Sequence, residues 1–213
     1  MKGTQTIQIK GHRLMLLPTG ALYWPKYKAL FIADLHIGKV EHFRKEGLAI
    51  PAAVGAENYQ KLDAVTQGLD LEQLYFLGDL FHSKKNTGWD RFFDWVKQQD
   101  FKITLIVGNH DRHDLKAIPE GSFELLEALE LEDVVFTHEP VEDAKMFNIC
   151  GHIHPGLLMR GKGRLVAKVP CFAQEKNRLI IPAFGVFTGN HPVDLKQMQK
   201  VYICTGEEVL VVK

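Results

Sequence analysis

The chain of 213 residues has few cysteines, no excess of either charge and no long apolar run. Its three cysteines, Cys150, Cys171 and Cys204, form no CxxC pair, which excludes a disulfide scaffold or a zinc ribbon and is typical of a reducing compartment. The 26 basic and 26 acidic residues cancel, so the composition excludes both a histone-like nucleic-acid binder and an acidic disordered protein. No apolar run reaches the roughly 18 residues of a membrane span, and residues 1–10 lack the apolar core of a signal peptide. We therefore expect a cytoplasmic protein that has no contact with membranes.

Short apolar segments alternate with helical patterns along the first half of the chain. Apolar spacings of three and four residues predict helices over 52–69 and 89–96. Apolar runs bounded by turn residues predict strands at 6–9, 12–17, 21–24, 28–33, 74–77, 103–107, 134–137, 147–150, 179–181, 201–204 and 209–212. No repeat, low-complexity tract or linker interrupts this pattern. The sequence therefore predicts one α/β domain over residues 1–213.

Histidine is the residue type that the sequence has in unusual number, with ten in all. Several of them stand in polar segments that directly follow predicted strands. These segments are Asp34-Leu35-His36, Gly78-Asp79, Gly108-Asn109-His110-Asp111, His138 and Gly151-His152-Ile153-His154. In α/β sheets, ligands bind in the crevice beyond the carboxyl ends of the strands. One such histidine is usually a structural residue, but five segments in the same relation to strands indicate a metal site.

Side chains in these segments have the chemistry of metal ligands. The seven candidates are Asp34, His36, Asp79, Asn109, His138, His152 and His154. Residues two apart on an extended segment point the same way, so Asp34 should share a site with His36, and His152 with His154. Seven ligands exceed the four of a tetrahedral zinc site, which predicts two ions bridged by Asp79. Imidazole, carboxylate and amide ligands together favour Mn²⁺, Fe²⁺ or Zn²⁺ over Mg²⁺ and Ca²⁺.

The charge of this ligand set also indicates a class of substrate. Only Asp34 and Asp79 are anionic, so two divalent ions with a bridging hydroxide would leave a small net positive charge. Such a centre suits a single negative charge, like that of a phosphodiester oxygen.

The order and spacing of the motifs between residues 34 and 154 resemble the calcineurin-like metallophosphoesterase superfamily. The resemblance implies a four-layer α/β sandwich, in which two mixed β-sheets lie face to face with helices outside. It implies a two-metal hydrolase in which a hydroxide activated by both ions attacks phosphorus in line. It further implies that Asp34, His36, Asp79 and His154 hold one ion, and that Asp79, Asn109, His138 and His152 hold the other. His110 would contact the phosphate or protonate the leaving oxygen.

His82 distinguishes this chain from the protein phosphatases of the superfamily. Those phosphatases read GDxxDRG, whereas this chain reads Gly-Asp-Leu-Phe-His-Ser over residues 78–83, with His82 in place of the Asp that orients the catalytic histidine. Nuclease members of the superfamily are similar to this chain in having GDLFH. A histidine at this position can donate to a diester oxygen or to the leaving group, while the alternative is that His82 only packs under the site.

A narrower resemblance covers nearly the whole chain. The chain resembles the bacterial ligase-associated DNA damage response endonucleases, the PdeM family, at residues 33–39, 43–44, 47, 51, 77–83, 108–112, 138–140, 151–156, 170–172, 182–185 and 187–189. This implies a Mn²⁺-dependent endonuclease acting on single-stranded DNA in DNA repair, functionally associated with a DNA ligase, a helicase and an exonuclease. Lys39, Arg44 and Arg112 are candidate contacts for DNA phosphates. Trp89 could stack on a base, but its helical spacing with Phe92 and Phe93 favours the core.

Two alternatives remain at this stage. The first is a small-molecule phosphodiesterase that cleaves a nucleotide pyrophosphate or a cyclic nucleotide with the same metals, which a deep closed pocket over the ions would favour. The second is a non-catalytic scaffold of the same fold. Because all seven ligand positions are filled, the sequence disfavours the scaffold.

Overall fold

The computed structural model describes residues 2–142, 145–161 and 166–213, without the side chain of Ala52. Within these residues the strands form two sheets. The strands of the first sheet are β1 (Gln5–Ile9), β2 (His12–Leu16), β3 (Leu22–Trp24), β4 (Ala29–Ile32), β5 (Gln73–Leu77), β6 (Lys102–Ile106) and β7 (Glu124–Leu126), which lie side by side in chain order. Strands β1 to β4 pair antiparallel, and β4 to β7 pair parallel.

The second sheet is built from the rest of the chain. Its strands are β8 (Leu129–Leu131), β9 (Val134–Thr137), β10 (Phe147–Cys150), β11 (Pro155–Arg160), β12 (Val166–Gln174), β13 (Arg178–Ile180), β14 (His191–Pro192), β15 (Lys200–Cys204) and β16 (Val209–Val211). Their order is β14-β11-β12-β13-β10-β9-β8, and β15 pairs with both β12 and β16. The neighbours β9, β10 and β13 are parallel, so this sheet is mixed as well.

An apolar core joins the inner faces of the two sheets. Phe31 of β4 stacks on Phe136 of β9 with ring centroids 4.1 Å apart, and Trp24 of β3 lies 6.1 Å from the same ring. Leu14 and Phe172 are fully buried in this core. Burying one such side chain contributes roughly 1.5–3 kcal/mol, so these contacts hold the two sheets together face to face.

The helices α1 (Lys39–Lys45), α2 (Ala52–Gln67) and α3 (Thr87–Val96) lie outside the sheets. The Asn86 side chain caps α3 by accepting from the backbone of Gly88. The apolar face of α3 is buried against the first sheet, where Trp89 stacks on Phe81 at 3.7 Å. The prediction that Trp89 belongs to the core is confirmed, and base stacking by it is excluded.

The predicted fold class, two mixed sheets flanked by helices, is confirmed. That residues 1–213 form one domain stays a prediction. Among the helices of the described residues, none combines the length and apolarity needed to cross a membrane.

Candidate binuclear metal centre

The seven candidate ligands lie together where strands of both sheets end. Asp34 follows β4, Asp79 follows β5 and Asn109 follows β6, while the histidines at 138, 152 and 154 follow β9 and β10. Backbone hydrogen bonds tie these loops together. The N–H of Asp34 donates to the carbonyl of Gly78 at 3.1 Å, and that of Gly151 donates to the carbonyl of His138 at 3.0 Å.

Left-handed backbone marks most of these positions. The φ angles are +56° at Asp34, +52° at His36, +48° at Asp79, +66° at His152 and +51° at His154. Non-glycine residues adopt this conformation rarely and at a cost, and such residues cluster at functional sites. The premise that these motifs are extended segments is therefore wrong, because the turns and not strand alternation set the side-chain directions.

The ligand atoms form two groups. One group is Asp34, His36 and His154, and the other is Asp79, His138 and His152, with the ligand atoms of each group within 4.8 Å of one another. The prediction that His152 and His154 share a site is wrong. The left-handed turns at both residues direct them to different groups, as the superfamily resemblance implies. The groups adjoin, since His152 donates its backbone N–H to Asp34 Oδ2 at 3.0 Å.

The donor set around His138 fits a cation. Its Nδ1 lies 2.9 Å from the Leu77 carbonyl, which can only accept, so the proton of the neutral ring belongs on Nδ1. The lone pair of Nε2 then faces Asn109 Oδ1 at 3.0 Å, His152 Nδ1 at 3.1 Å and Asp79 Oδ1 at 3.3 Å. Four atoms of metal-ligating type thus converge, which is the arrangement that a divalent ion stabilises.

The group around Asp34 fits a cation as well. Among the described residues, both ring nitrogens of the buried His36 and the Oδ1 of Asp34 have no hydrogen-bond partner. Burial lowers the pKa of His36 to about 2, so its imidazole is neutral and keeps a lone pair. His154 donates Nδ1–H to the Gly189 carbonyl at 3.2 Å, which leaves Nε2 free at 3.1 Å from Asp34 Oδ1. Buried polar atoms without partners are costly, and a bound metal ion removes that cost.

His110 and His82 both lie beside His36, and His110 also contacts Asp79. Their rings stack with centroids 5.2 Å apart, and each lies within 5.6 Å of the His36 ring. The backbone N–H of His110 donates to Asp79 Oδ1 at 3.0 Å, while its side chain is 36% exposed and can reach a substrate. Burial lowers the pKa of His82 to about 4, helped by the ammonium of Lys39, so this imidazole is neutral near pH 7.

The three predicted substrate contacts lie at different places. Lys39 begins α1, and burial lowers the pKa of its ammonium, while the negative charges of Asp79 and Asp34 oppose that shift. Arg112 pairs with the exposed Glu127 and lines a surface pocket of about 570 Å³ together with Asn109 and His138. Arg44 is exposed near the end of α1. Lys39 and Arg112 adjoin the candidate ligands, so they are the better placed candidates.

Residues 184–191, for which the sequence indicated no role, form one wall of the centre. Backbone N–H groups of Phe184 and Gly185 donate to the carbonyls of Ala33 and Asp34 at 2.9 and 3.2 Å. Lys61 of α2 donates to the Phe184 carbonyl at 2.7 Å, which fixes the segment from behind. The backbone N–H of His191 donates to the His154 carbonyl at 2.8 Å, and no ligand role falls to its side chain. The segment therefore positions Asp34 and His154.

Asp111 is another part of the site for which the sequence indicated no role. It is buried, and its two carboxylate oxygens accept the backbone N–H groups of Phe81 and Gly108, each at 2.9 Å. Burial raises the pKa of this carboxyl group to about 7, and the two hydrogen bonds oppose that rise. Asp111 thereby joins the loops that carry Asp79 and Asn109. The only sequence signal was its place at the end of Gly-Asn-His-Asp.

Replacing Asp111 by Asn should destabilise the protein. The amide has one acceptor oxygen, so one of the two buried N–H groups is left facing an NH₂ group. The expected loss in the free energy of unfolding is about 1–3 kcal/mol. Urea denaturation of the metal-free protein measures it. The control is Asp114→Asn, because among the described residues Asp114 accepts one backbone hydrogen bond, from Lys85 at 2.9 Å, and the amide oxygen can keep it. Equal midpoints for the two variants would show that Asp111 does not hold the loops together.

Comparison with known proteins places these residues in a family. The calcineurin-like phosphoesterase family matches residues 27–178. The crystal structure of Pseudomonas putida nuclease MPE has a TM-score of 0.82 and 31% sequence identity, covering 98% of this chain and 100% of that chain. A protein of unknown function from Aquifex aeolicus, AQ665, has a TM-score of 0.39 and 18% identity over 64% of this chain and 82% of its own.

None of the proteins with curated descriptions matches this chain. The family match includes Asp34, His36, Asp79, Asn109, His110, His138, His152 and His154, the residues that the structure brings together. The similarity to MPE extends from there over almost the whole fold. The chain therefore belongs to the calcineurin-like phosphoesterase family and is a phosphodiester-hydrolysing metalloenzyme.

Proposed function

We propose that the protein is a Mn²⁺-dependent endonuclease that cleaves single-stranded DNA in DNA repair in the cytoplasm. The observation that carries the proposal is the similarity to nuclease MPE, which extends over 98% of this chain and includes the histidine-rich loops of both sheets. The association with a DNA ligase, a helicase and an exonuclease, implied by the family resemblance, stays a prediction.

The candidate ligands divide between two ions as follows. Asp34, His36 and His154 would hold one ion, Asn109, His138 and His152 would hold the other, and Asp79 would serve both. When bound, two such ions lower the pKa of water and neutralise charge on a phosphate. The mixture of imidazole, amide and carboxylate ligands favours Mn²⁺, with Fe²⁺ or Zn²⁺ as alternatives.

The remaining groups of the site act on the phosphate and the leaving oxygen. His110 presents an exposed imidazole beside Asp79, where it contacts a phosphate oxygen or protonates the leaving oxygen. His82 is neutral and half-buried, so it donates a hydrogen bond to the diester without adding negative charge. Lys39 supplies a positive charge at the same edge.

The surroundings of the centre favour a polymeric substrate over a small diester. One surface pocket of about 570 Å³ adjoins Asn109 and His138, and another of about 550 Å³ adjoins Lys39 and Gly189. A strand that crosses the centre can place groups in both pockets. A cyclic nucleotide or a nucleotide pyrophosphate remains the second candidate, because the same ligands suit any diester.

Replacing His82 by Ala should reduce diester cleavage without removing metal. The expected loss in kcat/KM is about 10²-fold, the usual contribution of one positioned acid or hydrogen-bond donor. His82 is outside both ligand groups, so metal analysis of the variant should still find both ions. If the metal content fell in step with activity, His82 would instead act by positioning the candidate ligand His36.

A comparison of substrates tests the proposed function. The metal-free protein is loaded with Mn²⁺, Fe²⁺, Zn²⁺ or Mg²⁺, and cleavage of a labelled single-stranded oligonucleotide is compared with that of a cyclic nucleotide and a dinucleotide pyrophosphate. We expect the highest kcat/KM on the oligonucleotide with Mn²⁺. Preference for either small substrate would contradict the endonuclease proposal and favour the small-molecule phosphodiesterase.

A further inference from the structure

We propose that an apolar pocket beside the candidate metal centre binds a nucleobase of the substrate strand, next to the phosphodiester that is cleaved. This inference rests on the proposed phosphodiesterase function and names the part of the substrate that the site recognises. The pocket lies between α1, the loop after it and residues 186–189, with a volume of about 550 Å³. Its apolar walls are Phe43, Leu48, Ile50, Val186 and Phe187.

These wall residues expose much apolar surface in one place. Leu48 is 52% exposed, Val186 40% and Phe187 37%. Single exposed apolar residues are common on protein surfaces, but a group that lines one concave pocket indicates a binding site. The described residues that line the pocket include no Asp or Glu, so the negative charge of a DNA strand meets no like charge there.

The pocket is continuous with the candidate catalytic residues. Phe43 stacks on the His82 ring, with centroids 5.9 Å apart and an interplanar angle of 30°. Lys39 lines the pocket, and its backbone N–H donates to the carbonyl of the candidate ligand His36 at 3.2 Å. Gly189 lines it too, while its carbonyl accepts from His154. A group attached to a phosphate at the metal centre therefore reaches the pocket directly.

The aromatic walls favour a flat ring as the occupant. The rings of Phe43 and Phe187 make an edge contact, with centroids 6.0 Å apart and planes at 76°. A nucleobase that enters can stack on one ring and meet the edge of the other, and such stacking does not depend on which base is present. Lys39 both lines the pocket and adjoins His36 of the candidate centre, which suits a nucleotide, whose base and phosphate lie on opposite sides of one sugar.

Removal of the bases from the substrate tests this assignment. The full-length protein with Mn²⁺ is assayed on a thymidylate oligomer and on an oligomer of equal length made of abasic spacers, which keeps every phosphodiester. The variants are Phe187→Ala, Phe187→Tyr and, as a control on the distant strand β16, Leu210→Ala, where the leucine is exposed to a similar degree.

We expect the unsubstituted protein to cleave the thymidylate oligomer with about ten-fold higher kcat/KM than the abasic one, since one stacked base contributes that much. Phe187→Ala should lose most of this preference through slower cleavage of the thymidylate oligomer, whereas Phe187→Tyr and Leu210→Ala should keep it. Equal cleavage of both oligomers, or an equal loss on both in Phe187→Ala, would overturn the base pocket and leave the endonuclease intact. If neither oligomer is cleaved, the proposed function itself fails.

Discussion

Replacement of Asp79 by Asn is expected to abolish diester cleavage and to lower the metal content from two ions to one or fewer. Asp79 is buried beside His138, and its Oδ1 accepts the backbone N–H of His110. Asparagine keeps the size of the side chain but removes the negative charge and one ligand oxygen. We expect kcat/KM to fall about 10³-fold or more, because metal stabilisation of a phosphoryl transition state is worth several kcal/mol.

The matched control for this variant is Asp63→Asn. Asp63 lies on α2 and accepts from Trp95 Nε1 at 2.7 Å, away from the candidate ligands. It should keep both ions and normal activity. The comparison uses metal analysis and kcat/KM for both variants, and circular dichroism confirms that both fold. If Asp79→Asn bound two ions, Asp79 would not be the bridging ligand.

Replacement of Gly151 by Ala is expected to disrupt the centre through close contact alone. A Cβ atom at residue 151 would lie 2.5 Å from Ala33 Cβ and 2.7 Å from Asp34 Oδ2, both far inside van der Waals contact. Overpacking of this kind costs about 1–3 kcal/mol, and the displaced Asp34 carboxylate should lower kcat/KM about 10²-fold. Thermal unfolding and metal content measure the two effects.

A second substitution separates this cause from a general loss of folding. Ala33→Gly removes the nearer of the two atoms that the new Cβ meets. The double variant should therefore recover part of the stability that Gly151→Ala loses, as a double-mutant cycle detects. Strict additivity of the two losses would show that contact with Ala33 is not the reason.

The sequence predicted the strands that carry the site because each is an apolar run that ends in polar residues. β4, β5, β6, β9 and β10 all lie within two residues of their predicted bounds. The core role of Trp89 followed from its spacing with Phe92 and Phe93, since all three are buried on one face of α3. Patterns of this kind report burial, which is why they located the framework of the sheets.

The elements that the sequence did not predict have weak or conflicting patterns. Helix α1 buries only Val40 among its described residues, so it has no apolar stripe. Strand β12 contains Pro170, which pairs with Gly156 of β11 although proline is unusual within a sheet. The short strands β7 and β8 lie partly exposed. In each case contacts distant in sequence determine the conformation.

The geometry of the candidate site was only partly predictable from the sequence. Residue type and order predicted seven candidate ligands, and the superfamily resemblance implied their division into two groups. Spacing alone paired His152 with His154 instead, because left-handed backbone at these residues depends on the surrounding loops. The wall formed by residues 184–191 and the link made by Asp111 were also missed. Both act through backbone hydrogen bonds, which leave little trace in residue type.

The most direct test of the account is cleavage of closed circular single-stranded DNA in the presence of Mn²⁺, by the unsubstituted protein and by Asp79→Asn. A circle has no ends, so its linearisation requires endonuclease activity. We predict linearisation by the unsubstituted protein and none by Asp79→Asn. An intact circle under conditions where the same protein hydrolyses a small diester, or linearisation that persists in Asp79→Asn, would contradict an endonuclease acting at this metal centre.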